Sequence, residues 1–527
     1  MLKGFLTVGG WTMLSRILGL VRDQLLAALM GAGPMQDAYQ VAFRLPNLFR
    51  RLFGEGAFNS AFVPLFSGLL ATEGTEVARG FAREALGVLL FWLLCLTILG
   101  EIFMPQVIRC IAPGFGANYP LAVSLGRITF PYVLLICAAA LVSGVLNGLE
   151  RFGVAAAAYV LFNVVGIAAI LWLTPHVRSV AHAAAWGITA SGVVQLGVLM
   201  VASHRAGMPL GLPRPRLTPR MRLLMRRMLP GLIGSGITQL NLGVDTIIGT
   251  LLPAGSVSLM YFADRVNQLP LGVLGAAAGT TLLPVLTRHV QGGDPVQADR
   301  TQNAAIEYAL ILTIPATLAL MVLAAPILAT LFGYGAFTPR DVVLSAQSLT
   351  AYAFGLPFFV LIKVLAPGFF ARGDMVTPVR VGMATLGVNL CLNLALMRPL
   401  QHVGPPLATS LASAINASIL MVLLLRRGYL RPDQAMLSRL ARMGAAAGAM
   451  AVMLALLAHG PFAGLPHHHG LVRIVELGVL VTSGMLAYGI LLQLLGVMDL
   501  RGLPAKIVAR LRRRRAVVPD AGKSGLL

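Results

Sequence analysis

SRILGLVRDQLLAALMGAGPMQDAYQVAFRLPNLFRR, residues 15 to 51, places five arginines inside two segments that otherwise have the composition of lipid-spanning helices. A cation near the centre of a bilayer costs at least about 2.5 to 3.5 kcal/mol, so it normally faces a watery cavity, an anion or a partner group. The pattern therefore predicts a membrane protein with an anion-binding cavity. The five residues are Arg16, Arg22, Arg44, Arg50 and Arg51.

The composition of the whole chain predicts an all-α polytopic membrane protein. Of its 527 residues, 57% are hydrophobic and 11% are charged, whereas an ordinary soluble domain carries roughly 25% charged residues. Nearly charge-free runs recur along the chain, and a span needs about 20 apolar residues, which predicts about fourteen transmembrane helices. These runs are rich in Leu, Ala, Val and Gly and lack the alternation of a membrane β-barrel.

The net charge of +22 is concentrated in a few segments. Seven arginines lie in residues 204 to 228, five lie in 426 to 442, and eight Lys or Arg follow residue 500. The loops predicted on the opposite side of the membrane contain none, so the positive-inside rule predicts that both termini are cytoplasmic. The basic tail is expected to contact anionic lipid headgroups or to be solvated, and nucleic acid is not expected as a partner.

Two parts of the chain resemble each other at a spacing of 220 to 226 residues, which pairs Arg44 with Arg265 and Asn163 with Asn389. Each copy would hold about six helices, and because six is even, both copies enter the membrane in the same direction. The repeat predicts two six-helix lobes around a central cavity. The predicted divisions are an N-lobe (1–203), a basic linker (204–228), a C-lobe (229–427), two further helices (428–500) and a basic tail (501–527).

The second apolar segment predicts a helix over residues 38 to 66. Arg44 and Arg51 would lie about 20° apart on one stripe, and Glu55 continues that stripe. Arg50 points about 100° away from Arg51. One of these two is expected to face the cavity, while the other pairs with Glu55, extends to the membrane interface or meets the first helix.

The first apolar segment places Arg16 and Arg22 nominally about 120° apart around a helix. Gly19 would permit a bend that brings them together, and Asp23 is a plausible partner for one of them. Arg265 would close the site from the second lobe. Planar guanidinium forks suit a diphosphate because each can donate two hydrogen bonds. The alternative, helix-end anchors and internal ion pairs, would explain one or two of the five arginines.

Asp245 is a further isolated charge in an apolar segment, and three polar residues could join it. These are Asn389 and Asn393, four residues apart on one helix face, and Thr409. A carboxylate with amide and hydroxyl oxygens suits a hard monovalent cation, so one interpretation of these four residues is a Na⁺ or H⁺ coupling site. The other interpretation, hydrogen bonding between helices, is slightly favoured. Motifs for ATP hydrolysis are absent, which leaves an ion gradient, the membrane potential or the substrate gradient as the energy source.

Four long stretches carry a family resemblance: SRILGLVRD (15–23), DAYQVAFRLPNLFRRLFGEGAFNSAFVP (37–64), YFADRVNQLPLGVLG (261–275) and KVLAPGFFARGDMVTPV (363–379). With them the chain resembles the MurJ (MviN) lipid II flippases of bacteria, within the multidrug and lipid-oligosaccharide exporter superfamily. The resemblance implies a multi-pass protein of the cytoplasmic membrane with two six-helix lobes around a V-shaped cavity. The two further helices would form a groove for the lipid tail.

The function implied by the resemblance is transport rather than catalysis. Lipid II, an undecaprenyl-diphosphate-linked disaccharide pentapeptide, would cross to the outer leaflet by alternating access for cell-wall synthesis. Membrane lipids are implied as partners, and contact with the cell-wall synthesis machinery is left open. The alternatives are a flippase for another polyprenyl-diphosphate oligosaccharide and a multidrug exporter of the same fold, although a drug exporter would need a less basic cavity. A membrane enzyme would need convergent acids, histidines or a metal site, which the sequence lacks.

The resemblance also assigns site residues. Where some family members carry Lys, this chain has Arg44, and where relatives with a described sodium site carry Asp, it has Asn393, so its site would lose one negative charge. Arg51 and Glu55 match the helix-two motif without a defined role. The family's functionally important cavity arginines and acidic residue correspond to Arg16, Arg22, Arg50, Arg265 and Asp37.

Overall fold

The computed structural model describes residues 2–54, 57–211, 215–465 and 470–498. Glu55 and the basic tail 501–527 lie outside the described residues. Within those ranges all regular structure is helical and there is no strand, which confirms the all-α fold class. Nine helices of the described part are long and apolar enough to cross a membrane. The number of about fourteen spans is not confirmed.

The first half of the described chain folds into nine α-helices. The helix predicted over 38 to 66 appears as two helices on either side of residues 55 and 56. Helix α5 has a proline in its first turn, where a fixed φ and a missing N–H cost nothing. The helices are α1 (Leu2–Met30), α2 (Pro34–Gly54), α3 (Ala57–Thr72), α4 (Thr75–Ile102), α5 (Met104–Ile111), α6 (Tyr119–Thr129), α7 (Tyr132–Gly148), α8 (Phe152–Leu173) and α9 (Val180–Arg205).

The second half contributes nine more α-helices, several with side-chain caps that satisfy free N–H groups of the first turn. Thr218 caps α10 by accepting from the Met221 backbone N–H, and Asp433 caps α17 by accepting from Met436. The helices are α10 (Pro219–Thr250), α11 (Ser256–Gln291), α12 (Pro295–Val322), α13 (Ala324–Phe332), α14 (Pro339–Phe370), α15 (Val376–Leu400), α16 (Gly404–Arg426), α17 (Gln434–His459) and α18 (Leu471–Leu494).

The first of two compact units comprises Met1–Asn267, Leu331–Gly355 and Met375–Asn416. Its core surrounds α7, which is buried along most of its length and packs against α2, α3, α4 and α9. Stacked rings of Phe58, Phe62 and Phe66 run along α3 at centroid distances of 5.2 and 5.7 Å. Helix α8 packs on α1 and α9, so this unit fixes the arginine-bearing helix α1.

The second unit comprises Gln268–Thr330, Leu356–Asp374 and Ala417–Leu527. Helices α17 and α18 correspond to the two further helices of the sequence prediction. Buried Arg473 of α18 donates to the Ala329 carbonyl at 2.6 Å, and the Tyr488 hydroxyl donates to the Ile311 carbonyl at 2.9 Å. These bonds hold α18 at two levels, while its remaining surface is largely exposed and apolar, as expected for contact with lipid. The predicted lobe boundaries stay a prediction.

Within the first unit, the end of α1 and the turn before α14 pack backbone against backbone. The Ala336 N–H donates to the Ala28 carbonyl at 2.8 Å. Gly335 has a φ of +59°, and a Cβ atom there would overlap the Ala28 carbonyl oxygen. Both the positive φ and the close approach therefore require glycine at this position.

We predict that Gly335→Ala lowers the stability of the purified protein by about 2 kcal/mol or more, because alanine adds left-handed strain and a steric overlap. Gly197→Ala in α9 is the matched control, since a Cβ atom there meets nothing within 4 Å. Thermal unfolding in detergent should show a lower Tm for Gly335→Ala and an unchanged or slightly higher Tm for Gly197→Ala. Equal Tm values for the two variants would contradict the packing described.

Candidate functional site

A cluster of charges joins α1 to α11 in the first unit; we call Arg22, Asp23, Tyr261 and Arg265 the gate cluster. Asp23 Oδ1 accepts from Arg22 Nη2 at 2.9 Å and from the Tyr261 hydroxyl at 3.2 Å. Asp23 Oδ2 forms an ion pair with Arg265 Nε at 2.6 Å. One carboxylate therefore serves two guanidinium groups from two helices.

Arg265 packs closely against helix α1 at Gly19, because glycine has no side chain. A Cβ atom on Gly19 would lie 3.0 Å from Arg265 Nη2 and 3.6 Å from Asn163 Oδ1. Asn163 of α8 also donates to the Ser15 carbonyl at 2.9 Å, which fixes α8 against the same turn of α1. Gly19 thus provides close approach, whereas the sequence analysis assigned it a bend; α1 is one continuous helix.

The electrostatics of the gate cluster favour an incoming anion. Asp23 is fully buried and Arg22 is 8% exposed, while the Arg265 side chain is 35% exposed. The Arg22 guanidinium also lies 5.1 Å from the centre of the Phe162 ring, a cation–π contact. Two guanidiniums against one carboxylate leave one net positive charge, and Arg265 is the charged member of the cluster whose side chain is most exposed.

The other predicted arginines occupy different surroundings. Arg16 is exposed and lines a surface pocket with Thr12 and Met13, whereas Arg22 is buried. Arg50 donates from Nε and Nη2 to Asn47 Oδ1 at 3.1 and 3.0 Å. The sequence analysis had offered Glu55 as a partner for Arg50 or Arg51, and Glu55 lies outside the described residues.

Arg44 and Arg51 are half-buried on α2. Arg44 is attracted to Asp245 of α10 and Asp264 of α11 and repelled by Arg51. Arg44 therefore lies near acidic side chains of two other helices in the same unit.

Asp37 is buried at the start of α2 and caps the N-terminus of α11. Its Oδ2 accepts from the Gly255 N–H at 2.6 Å, and its Oδ1 accepts from the Ser258 N–H and hydroxyl, both at 2.7 Å. A carboxylate at a helix N-terminus satisfies free N–H groups and complements the helix dipole. The predicted role of Asp37 in substrate binding stays a prediction, and its contacts are those of a clasp between two helices.

Four polar residues predicted from the sequence meet between α10, α15 and α16; we call Asp245, Asn389, Asn393 and Thr409 the amide cluster. Asp245 Oδ1 accepts from Asn393 Nδ2 at 3.1 Å and from Asn389 Nδ2 at 3.3 Å. Asp245 Oδ2 accepts from the Thr409 hydroxyl at 2.9 Å. All four residues are buried, and Asn389, Asn393 and Thr409 each donate a hydrogen bond to the carboxylate.

Sequence reasoning missed several residues that hold these sites together. Asp23 was considered only as a partner of one arginine, although it is the centre of the gate cluster. Tyr261 and Asn163 were not proposed as site residues. The internal repeat pairs Asn163 with the predicted site residue Asn389, which was the signal that could have found it, whereas Tyr261 appeared only within the family stretch 261–275. Ser258, which binds Asp37, had no comparable signal.

Comparison with known proteins gives a consistent result. A family model described as lipid II flippase MurJ matches residues 26–467. A probable lipid II flippase MurJ of Rhizobium meliloti (strain 1021) is 43% identical over 461 residues, which cover 86% of each chain. A probable lipid II flippase MurJ of Rhizobium tropici is 38% identical over 530 residues, covering 99% of this chain and 98% of the relative.

Solved structures show the same fold. A lipid II flippase MurJ in an inward closed conformation superposes with a TM-score of 0.76 at 23% identity, covering 92% of this chain and 98% of the other. An inward-facing multidrug resistance transporter of the MATE family, in the MOP superfamily, gives a TM-score of 0.68 at 15% identity, covering 78% and 94%. The transporter fold expected from the sequence is confirmed.

We predict that Asp37→Asn destabilises the protein by about 1 to 3 kcal/mol, because an amide has one acceptor oxygen and leaves a buried N–H of α11 unpaired. Ser258→Ala is the matched comparison, since it removes one hydroxyl and keeps both backbone hydrogen bonds. Thermal unfolding should rank the Tm values as wild type, Ser258→Ala, then Asp37→Asn. A Tm for Asp37→Asn at or above that of Ser258→Ala would contradict the capping role.

Proposed function

Because the chain belongs to the MurJ family of lipid II flippases, we propose that its gate cluster binds the diphosphate of lipid II while the lipid crosses the membrane. The protein is a transporter rather than an enzyme, and its substrate is lipid II. Lipid II therefore leaves the protein chemically unchanged. The site must bind and release the lipid, and it does not need to cleave a bond.

The observation that carries this proposal is the shared carboxylate of Asp23. Its ion pair with Arg265 Nε, at 2.6 Å, links α11 to α1. A diphosphate offers several oxygens to planar guanidinium forks, whereas Asp23 offers two. The substrate would compete with Asp23 for Arg22 and Arg265, and its departure would let the internal ion pair form again.

The remaining site residues are proposed to guide the head group to and from the gate cluster. Arg16 is exposed on α1, and Arg44, Arg50 and Arg51 lie along α2. These cations would attract the negatively charged head group and hold it in transit. Glu55, which matches the family motif in the sequence, is proposed to belong to the same substrate-binding set. The polyprenyl tail is proposed to lie along α17 and α18, where apolar side chains are exposed.

Alternating access requires contacts that can open and close again. The Asp37 clasp to Gly255 and Ser258 consists of three short hydrogen bonds, which can break and form again. We propose that the clasp and the gate cluster open at different stages of transport, driven by an ion gradient or by the membrane potential.

The protein is a multi-pass protein of the bacterial inner membrane. We propose that both termini are cytoplasmic, which the arginine-rich segments 204–228 and 426–442 support through the positive-inside rule. Contact with the cell-wall synthesis machinery is also proposed, since the machinery consumes the transported lipid.

We predict that Arg16→Ala, Arg22→Ala and Arg265→Ala each abolish growth support in a flippase-depleted strain while membrane abundance stays normal. Arg265→Lys keeps the charge without the fork, so transport should fall about tenfold rather than disappear. Quantitative immunoblotting and a lipid II accessibility assay in reconstituted vesicles are the measurements.

Arg79→Ala is the matched control, because Arg79 forms an exposed ion pair with Glu76 on α4, well removed in sequence from the proposed site. Exposed pairs of this kind contribute little to stability, so growth should be normal. Normal growth and transport by all three alanine variants of the proposed site would overturn the proposal.

A further inference from the structure

Three oxygens lie within hydrogen-bond distance of the amide nitrogen of Asn393. Its Nδ2 atom lies 3.0 Å from the Asn389 carbonyl oxygen, 3.1 Å from Asn389 Oδ1 and 3.1 Å from Asp245 Oδ1. The residue is fully buried. Three oxygens from two helices thus converge on one point, as they do around a bound cation, and a nitrogen of the protein fills that point.

We infer that the Asn393 amide replaces a coupling cation in the amide cluster, so that this protein binds no sodium there. A sodium ion needs several oxygens that face a common empty centre. Here the carboxylate oxygens of Asp245 already accept from Asn389, Asn393 and Thr409. The residues present therefore do not fit a sodium ion, although they are the residues that the family resemblance assigned to one.

The orientation of the Asn393 amide is set by its neighbours. If the amide were turned over, its oxygen would face three other oxygens without a proton between them, which is electrostatically unfavourable. The observed orientation leaves Asn393 Oδ1 buried and without a hydrogen-bond partner among the described residues. The observed orientation therefore leaves the Asn393 oxygen without a hydrogen bond in the described part of the chain, while the Asn393 nitrogen keeps its three oxygen neighbours.

The charge balance points the same way. The amide cluster contains one carboxylate, and three polar hydrogens already point at it. Arg44 adds a fixed positive charge that attracts Asp245. Hydrogen-bond donors of the protein therefore already engage the one carboxylate of the cluster that could attract a cation.

The absence of a sodium site would remove one of the proposed energy sources for transport. If no sodium binds, transport is powered by the membrane potential or by another ion. That consequence rests on the proposed function, whereas the absence of sodium binding does not, so the two can be tested separately.

The binding test measures the Tm of the full-length protein in nanodiscs, in NaCl or choline chloride at equal ionic strength. The wild type should show no saturable response to sodium. Asn393→Asp removes the central nitrogen and adds a second carboxylate, so sodium should raise its Tm by about 5 °C at saturation. Asn416→Asp is the charge-matched control on α16, where Asn416 bonds Thr385 outside the cluster, and it should not respond to sodium.

A saturable sodium response of the wild type would overturn the inference even if Asn393→Asp failed to fold. An Asn393→Asp variant that folds equally well with and without sodium would also overturn it. Reconstituted wild-type protein should transport lipid II at the same rate in both salts. Loss of transport in both salts would contradict the proposed function and leave the binding result unaffected.

Discussion

The structure depends on one buried carboxylate that is shared by two guanidinium groups. Burying Asp23, Arg22 and part of Arg265 in a membrane protein is costly unless their geometry is close to ideal. The protein meets this condition with a hydrogen bond from Tyr261 and close approach at Gly19. The cluster keeps one excess positive charge, which is the basis of the proposal that it binds an anion.

Backbone groups impose the second constraint, because polar groups in the membrane interior must find partners within the protein. Asp37 supplies these partners at the start of α11, and Gly335 lets the turn before α14 reach the end of α1. The ends of α1 and α2 are therefore held by hydrogen bonds that can break and re-form. Such contacts suit a transporter better than an apolar interface, which would resist opening.

The sequence predicted the helical membrane fold, the family and the four members of the amide cluster, because these depend on composition, long motifs and helical spacing. It did not predict that Arg16 and Arg22 have different surroundings, since that depends on how α8 packs against α1 through Asn163. It also did not predict that Asp37, whose substrate role stays a prediction, accepts from backbone N–H groups 218 and 221 residues away. The periodicity of a local stretch of sequence does not predict contacts between helices that are far apart in the chain.

The central claim is that Asp23 competes with the lipid diphosphate for Arg22 and Arg265. The most direct measurement is the Kd of lipid II for purified wild type and Asp23→Asn, combined with the transport rate of each. The account predicts that Asp23→Asn binds lipid II about tenfold more tightly, because the internal competitor is neutral, and transports it more slowly, because release is impaired. Unchanged or weaker binding by Asp23→Asn would contradict it.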